Sequence, residues 1–130
     1  ASLIVQAVVH HGSKPNADDD NLVTIALADA DRLINMEPDV IIRSAQHHAD
    51  IPALDPVYIE ATPGANYRDP KTVAWDIANC ITWAAEAGPY ILRLPLSRKL
   101  GYERAEYLRT FLDTIKRQRE ELGLFPYPEI

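Results

Sequence analysis

"IALADADRLINM", Ile25 to Met36, is the stretch on which the fold turns. Together with Leu22 just upstream, apolar residues recur at spacings of three and four through Ile25, Ala26, Leu33 and Met36. That is the repeat of one helix face, not the alternation of a strand. Asp29 falls on the same inward stripe, whereas Asp31, two residues on and about 200° around the helix, points elsewhere. A carboxylate on an inner face is costly unless it is hydrogen-bonded, paired with a cation or bound to a metal. What Asp29 does there is the first question the sequence poses.

Working outward, the upstream side reads as a second helix and a loop. Ser2 caps a short apolar helix that runs to about His11 and is closed by Gly12. "GSKPNADDD" is a loop of turn formers, and one of Asp18, Asp19 and Asp20 is expected to be the N-cap of the aspartate helix. Downstream, Pro38 redirects the chain and "DVIIRSAQHHADI" makes another short helix. Residues 52–70 carry Pro, Gly and Asn and read as a long irregular connection.

"DPKTVAWDIANCITWAAEAG" follows as a helix, with Asp69 as cap, Pro70 in the first turn and Gly88 at the end. Its core stripe is Val73, Ile77, Cys80, Ile81 and Ala84. "YILRL" is the one candidate strand. A long amphipathic helix from about Ser97 to Leu122 closes the chain, with Leu100, Leu108, Phe111, Leu112 and Ile115 on its inner face. There is no repeat and no coiled-coil heptad. The sequence predicts an all-α fold, one helical domain over residues 1–130.

Composition narrows the function. The 130 residues are 47% hydrophobic, enough for a single core, and the formal net charge is −6. Thirteen Lys and Arg are scattered rather than massed, which argues against a nucleic-acid or anionic-membrane binder. No apolar run approaches the ~20 residues that span a bilayer. A single cysteine, Cys80, excludes an internal disulfide framework and suits a reducing cytoplasm. Its place in an apolar helical pattern makes it an inert core thiol. The chain opens directly on an apolar segment without a basic leader, so an incomplete domain is the expectation.

Four histidines come as two adjacent pairs, His10–His11 and His47–His48. Neighbours on a helix point about 100° apart, so one member of a pair suits a metal ion and the other packs or hydrogen-bonds. Imidazole and carboxylate together suit Zn, Mn, Fe and related divalent ions. His10 or His11 with Asp29 is therefore a candidate metal site. The plainer alternatives are a satisfied helix-end histidine pair and a salt bridge from Asp29 to Arg32 or Arg43.

"AVVHHGSKP" followed by "DDDNLVTIALADADRLINM" resembles the C-terminal half of the HD-domain superfamily of helical metal-dependent phosphohydrolases. The resemblance covers Ala7 to Met36 well and Ser97 to Gly123 loosely. It implies an HD-domain-like bundle in which Asp29, first in Asp29–Ala30–Asp31–Arg32–Leu33, is the terminal aspartate ligand. His10 or His11 would then be a histidine ligand of an expanded two-metal site.

The implied cofactor is a divalent ion (Mn, Fe, Ni, Zn or Mg), the implied substrate a nucleotide or other small phosphate ester. Such an ion would polarise a phosphoryl oxygen and lower the pKa of bound water. Asp29 would anchor the metal and orient that water, and Lys14 would contact the phosphate. Arg32 would hold the carboxylate from behind, while Asp31 is structural.

The departure is that no His-Asp dipeptide occurs anywhere; "HHAD" at His47–Asp50 comes after the aspartate helix. The missing ligands and helices imply apolar surface that a second copy or another chain would cover. They also support the rival reading, a catalytically inactive helical module that binds a ligand or partner. Trp75 and Trp83 read as core, and Ser13 and Ser44 lack the Gly-x-Ser-x-Gly elbow of a hydrolase triad. No glycine-rich phosphate loop is present.

Overall fold

A computed structural model describes residues 2–11, 14–55, 57–60 and 62–124. The chain is all-α. Five helices follow in order: α1 (Leu3–His10), α2 (Leu22–Ile34), α3 (Val40–His47), α4 (Val73–Ile81) and α5 (Pro95–Glu121). A 3-10 turn, Thr82–Ala84, extends α4. Among the described residues no strand forms, and the one β-bridge joins Asn66 to Asp69.

Each helix start has a local reason. Ser2 accepts the Val5 N–H at 3.3 Å, as its position predicts. Gly12, the expected stop, lies outside the described residues. On α2 the cap is Asn21, which accepts the Thr24 N–H at 3.0 Å, and not one of the three aspartates before it. The aspartate nearest the helix, Asp20, is drawn into other bonds.

On α4 the cap is Thr72, accepting the Trp75 N–H at 3.1 Å, in place of the expected Asp69. Lys71 sits in the left-handed region at φ 60°, which turns the chain out of any helix begun at Pro70. Asp69 instead closes a turn with Asn66 through reciprocal backbone bonds of 3.0 and 3.2 Å. The carbonyls of Pro52 and Ala53 accept the Val73 and Ala74 N–H groups, so the long connection also holds the α4 start in place.

The core is shared by α3, α4 and α5. Val40, Val73, Ile77, Cys80, Leu108 and Leu112 are buried in it, joined by Met36 after α2 and Ile59 from the long connection. The inner face of α5 reads Ser97, Gly101, Ala105, Leu108 and Leu112, at the spacings of one helical stripe. Gly101 belongs to it because a Cβ there would lie 2.1 Å from Leu92 Cδ1, and Leu92 is fully buried.

Two expectations differ. The inward face of α2 is Thr24, Ala28, Asp29 and Arg32, while Leu22 is 69% exposed. The face is polar because it meets backbone. The segment 90–94, expected as a strand, is an irregular connection whose amides and carbonyls are taken by side chains. Asn16 and Arg32 donate to the Ile91 carbonyl, Asp29 accepts from Arg93 and Leu94, and the Leu92 N–H reaches the Trp83 carbonyl at 2.9 Å. A sheet partner is replaced by the polar face of a helix.

Candidate functional site

Asp29 is 1% exposed. Its Oδ2 accepts the Arg93 and Leu94 N–H groups at 3.0 and 2.8 Å, and its Oδ1 accepts the Arg93 N–H at 3.1 Å. Leu94 is the N-cap of α5 and offers no side-chain cap of its own, so Asp29 anchors that helix start from a distance of 65 residues in sequence. Neither expected arginine partner bonds it: Arg43 binds Asp39, Asn35 and the Ile34 carbonyl.

His10 and His11 are exposed at the end of α1, where His11 Nδ1 lies 2.6 Å from the Val8 carbonyl. Among the described residues no three His, Cys, Asp or Glu side chains group so as to hold a metal ion. A carboxylate whose two oxygens already face converging amide dipoles suits a helix anchor. Those dipoles would repel a divalent cation, so the residues present do not fit the ion the family resemblance implies. Lys14, the expected phosphate contact, is ion-paired with Asp20 at 3.1 Å. Asp31 is half-buried, and its carbonyl accepts from Asn35.

Arg32 departs most from expectation. It is 8% exposed, and its Nη1 donates to Asn16 Oδ1 at 2.9 Å and to the Ile91 carbonyl at 3.0 Å. It forms no salt bridge with any described residue, Asp29 and Asp31 included. Its guanidinium lies 5.8 Å from the centre of the Tyr90 ring. Burial, and then the neighbouring Arg93, lowers its pKa, with only partial opposition from Asp29 and Asp31. A buried cation without a carboxylate at contact distance invites an anion.

That cation lines a cavity of about 830 Å³ between α2, α3, α4 and the 66–69 turn. The turn contributes Asn66, Tyr67 and Arg68, and Arg68 also has no ion pair among the described residues. From α4 and the 3-10 turn come Asp76, Asn79, Thr82 and Trp83. From the end of α3 come His47 and His48, with ring centres 4.6 Å apart in an edge-on contact. A concave space with a few convergent polar groups among aromatic rings is how small-molecule sites are built.

One wall is organised further. His48 Nε2 lies 3.7 Å from Asp76 Oδ2, and the same oxygen accepts the Ser44 hydroxyl at 2.6 Å. Ser44 is buried on α3 and Asp76 stands in the first turn of α4, so packing of the two helices assembles the group. Cys80, also on this wall, has its thiol pushed up to about 12 by burial and then by Asp76, and so stays protonated and unreactive.

Sequence reading missed this site because its parts lie far apart: residues 31–32, 47–48, 66–68 and 76–83. The signals in the sequence were the second histidine pair and Arg32, expected to hold the Asp29 carboxylate rather than to line a cavity. Comparison of the chain with protein-family models, with curated proteins and with solved structures returns no match.

Proposed function

We propose that this protein is a helical module that binds a small phosphorylated ligand, a nucleotide or another phosphate ester, in the cavity between α2, α3, α4 and the 66–69 turn. The observation that carries the reading is the buried Arg32 on the cavity wall, joined by Arg68, neither of which has an ion pair among the described residues. Guanidinium groups recognise phosphate oxygens in pairs of hydrogen bonds, and two at one cavity provide that chemistry. Tyr67, Tyr90 and Trp83 supply apolar surface for the rest of the ligand.

Titration calorimetry with inorganic phosphate and with a nucleoside monophosphate tests it. Saturable binding is expected, weakened roughly tenfold by Arg68→Gln, since one charge-assisted hydrogen bond contributes about 1.5–3 kcal/mol. Arg68 is exposed, so this variant leaves the core intact. Absence of binding at millimolar phosphate would overturn the proposal.

The HD-domain-like bundle and the metal-dependent phosphohydrolase belong to the alternative reading. Among the described residues no three His, Cys, Asp or Glu side chains group around an ion, so that reading calls for further ligands beside His10, His11 and Asp29. Stoichiometric divalent metal in the purified protein, lost in Asp29→Ala, would favour it over the binding module.

A further inference from the structure

We infer that His48 is a general base at this cavity, acting on water to hydrolyse the phosphate ester that Arg32 and Arg68 hold; the inference rests on the ligand class proposed above. The arrangement is that of a base with an orienting group behind it. Asp76 Oδ2 faces Nε2 of His48 at 3.7 Å, which leaves Nδ1 as the nitrogen turned away from the carboxylate. Ser44 donates to the same carboxylate oxygen from a buried position and so holds Asp76 against α3. His47 packs edge-on against the His48 ring and restricts its rotation.

In the step, His48 Nδ1 takes a proton from a water molecule, whose oxygen forms a bond to phosphorus. The bond from phosphorus to the ester oxygen breaks, and that oxygen leaves with the electron pair. It takes a proton from solvent on the far side of phosphorus, and the imidazolium returns its proton to solvent, so the products are an alcohol and phosphate and the base is regenerated. No oxidant, reductant or second substrate is required. Asp76 and Ser44 do not touch the reacting atoms; they are positioning residues.

The charged and titratable groups on the same cavity are Asp31 and Arg32 on α2, His47 on α3, Asp76 and Cys80 on α4, Arg68 with Tyr67 on the turn, and Tyr90 before α5. Of these, the Asp76 carboxylate is the one that lies 3.7 Å from His48.

The experiment uses the full chain with p-nitrophenyl phosphate as substrate and inorganic phosphate as the binding probe, with and without EDTA. Expected are hydrolysis that survives the chelator, a loss of about 100-fold or more in kcat for His48→Gln, and phosphate binding retained in that variant. Asp76→Asn keeps an acceptor for Ser44. It is expected to lower kcat while leaving phosphate binding unchanged, a split that a purely structural role would not give.

Phosphate binding without hydrolysis by the wild-type protein overturns the base while leaving the binding module standing. No phosphate binding overturns both. Hydrolysis that His48→Gln leaves intact overturns the base, and hydrolysis that EDTA abolishes overturns it and points to a metal.

Discussion

Asp20 is a carboxylate whose charged form the fold favours strongly. Its side chain is 4% exposed, and it accepts the Ala17 N–H at 3.0 Å, Arg93 at 2.8 Å and Lys14 at 3.1 Å. The Ala17 amide first, then the Arg93 bond, hold it well below the ordinary 3.8, against the opposing effect of burial. A folded-state pKa below the unfolded one means that Asp20 stabilises the fold fully above the ordinary carboxylate range. That contribution is lost as pH falls below about 4 toward the folded value.

Asp20→Asn is therefore expected to lose about 1–3 kcal/mol near neutral pH and to unfold with a flatter acid dependence. Urea unfolding curves from about pH 7 to about pH 2 measure both. Identical slopes for the two proteins would refute this role. The same residue explains why the cap of α2 passes to Asn21: a carboxylate whose two oxygens are already held by two cations and an amide is not free to turn toward the helix.

At the scale of elements, the joint between α2 and α5 is held by Asp29. Its three hydrogen bonds fix the two residues before Pro95, and Pro95 in turn starts α5 with no amide hydrogen to satisfy. Asp29→Ala leaves the Arg93 and Leu94 amides without acceptors in a dry site, and an expected loss of about 2–4 kcal/mol follows. Asp29→Asn retains one acceptor oxygen and is expected to cost less. Equilibrium denaturation ranks the two variants, and equal losses would mean that shape rather than hydrogen bonding is what Asp29 supplies. α5 then reaches Leu92 at Gly101, so anchoring of its start and close packing of its middle act on one connection.

At the scale of the molecule, the side chains of α1 are not fully used. The helix packs on α2 and buries Ala7, yet Ile4 is 66% and Val9 68% exposed, and Leu3, Val5 and Val8 are more than half exposed. Contiguous apolar surface of this kind marks an interaction surface. As part of the proposed function, the protein is expected to self-associate at micromolar concentration, and Ile4→Lys with Val8→Lys is expected to shift it toward the monomer. Light scattering with size exclusion reads the mass directly, and a compact wild-type monomer would end this expectation. Among the described residues no helix is long and apolar enough to cross a membrane.

The helical class was legible because it follows from periodicity, a property of neighbours along the chain: α2, α4 and α5 fall where apolar residues repeat at three and four. Buried Asp29 was legible for the same reason. What it bonds was not, because its partners at 93 and 94 show no acceptor need until the chain folds past them. The 90–94 segment shows the limit from the other side, since its apolar letters describe a strand but its hydrogen bonds go to Asp29, Asn16 and Arg32.

The cavity is the extreme case. Arg32 without a carboxylate at contact distance, Arg68 on its turn, and Ser44, His48 and Asp76 around one oxygen are relations across α2, α3, α4 and a loop. The sequence by itself determined which segments become helices and that one acid would be buried. Tertiary structure alone decided what that acid anchors and where an anion can bind, because burial and pairing depend on distances between helices rather than on spacing within one.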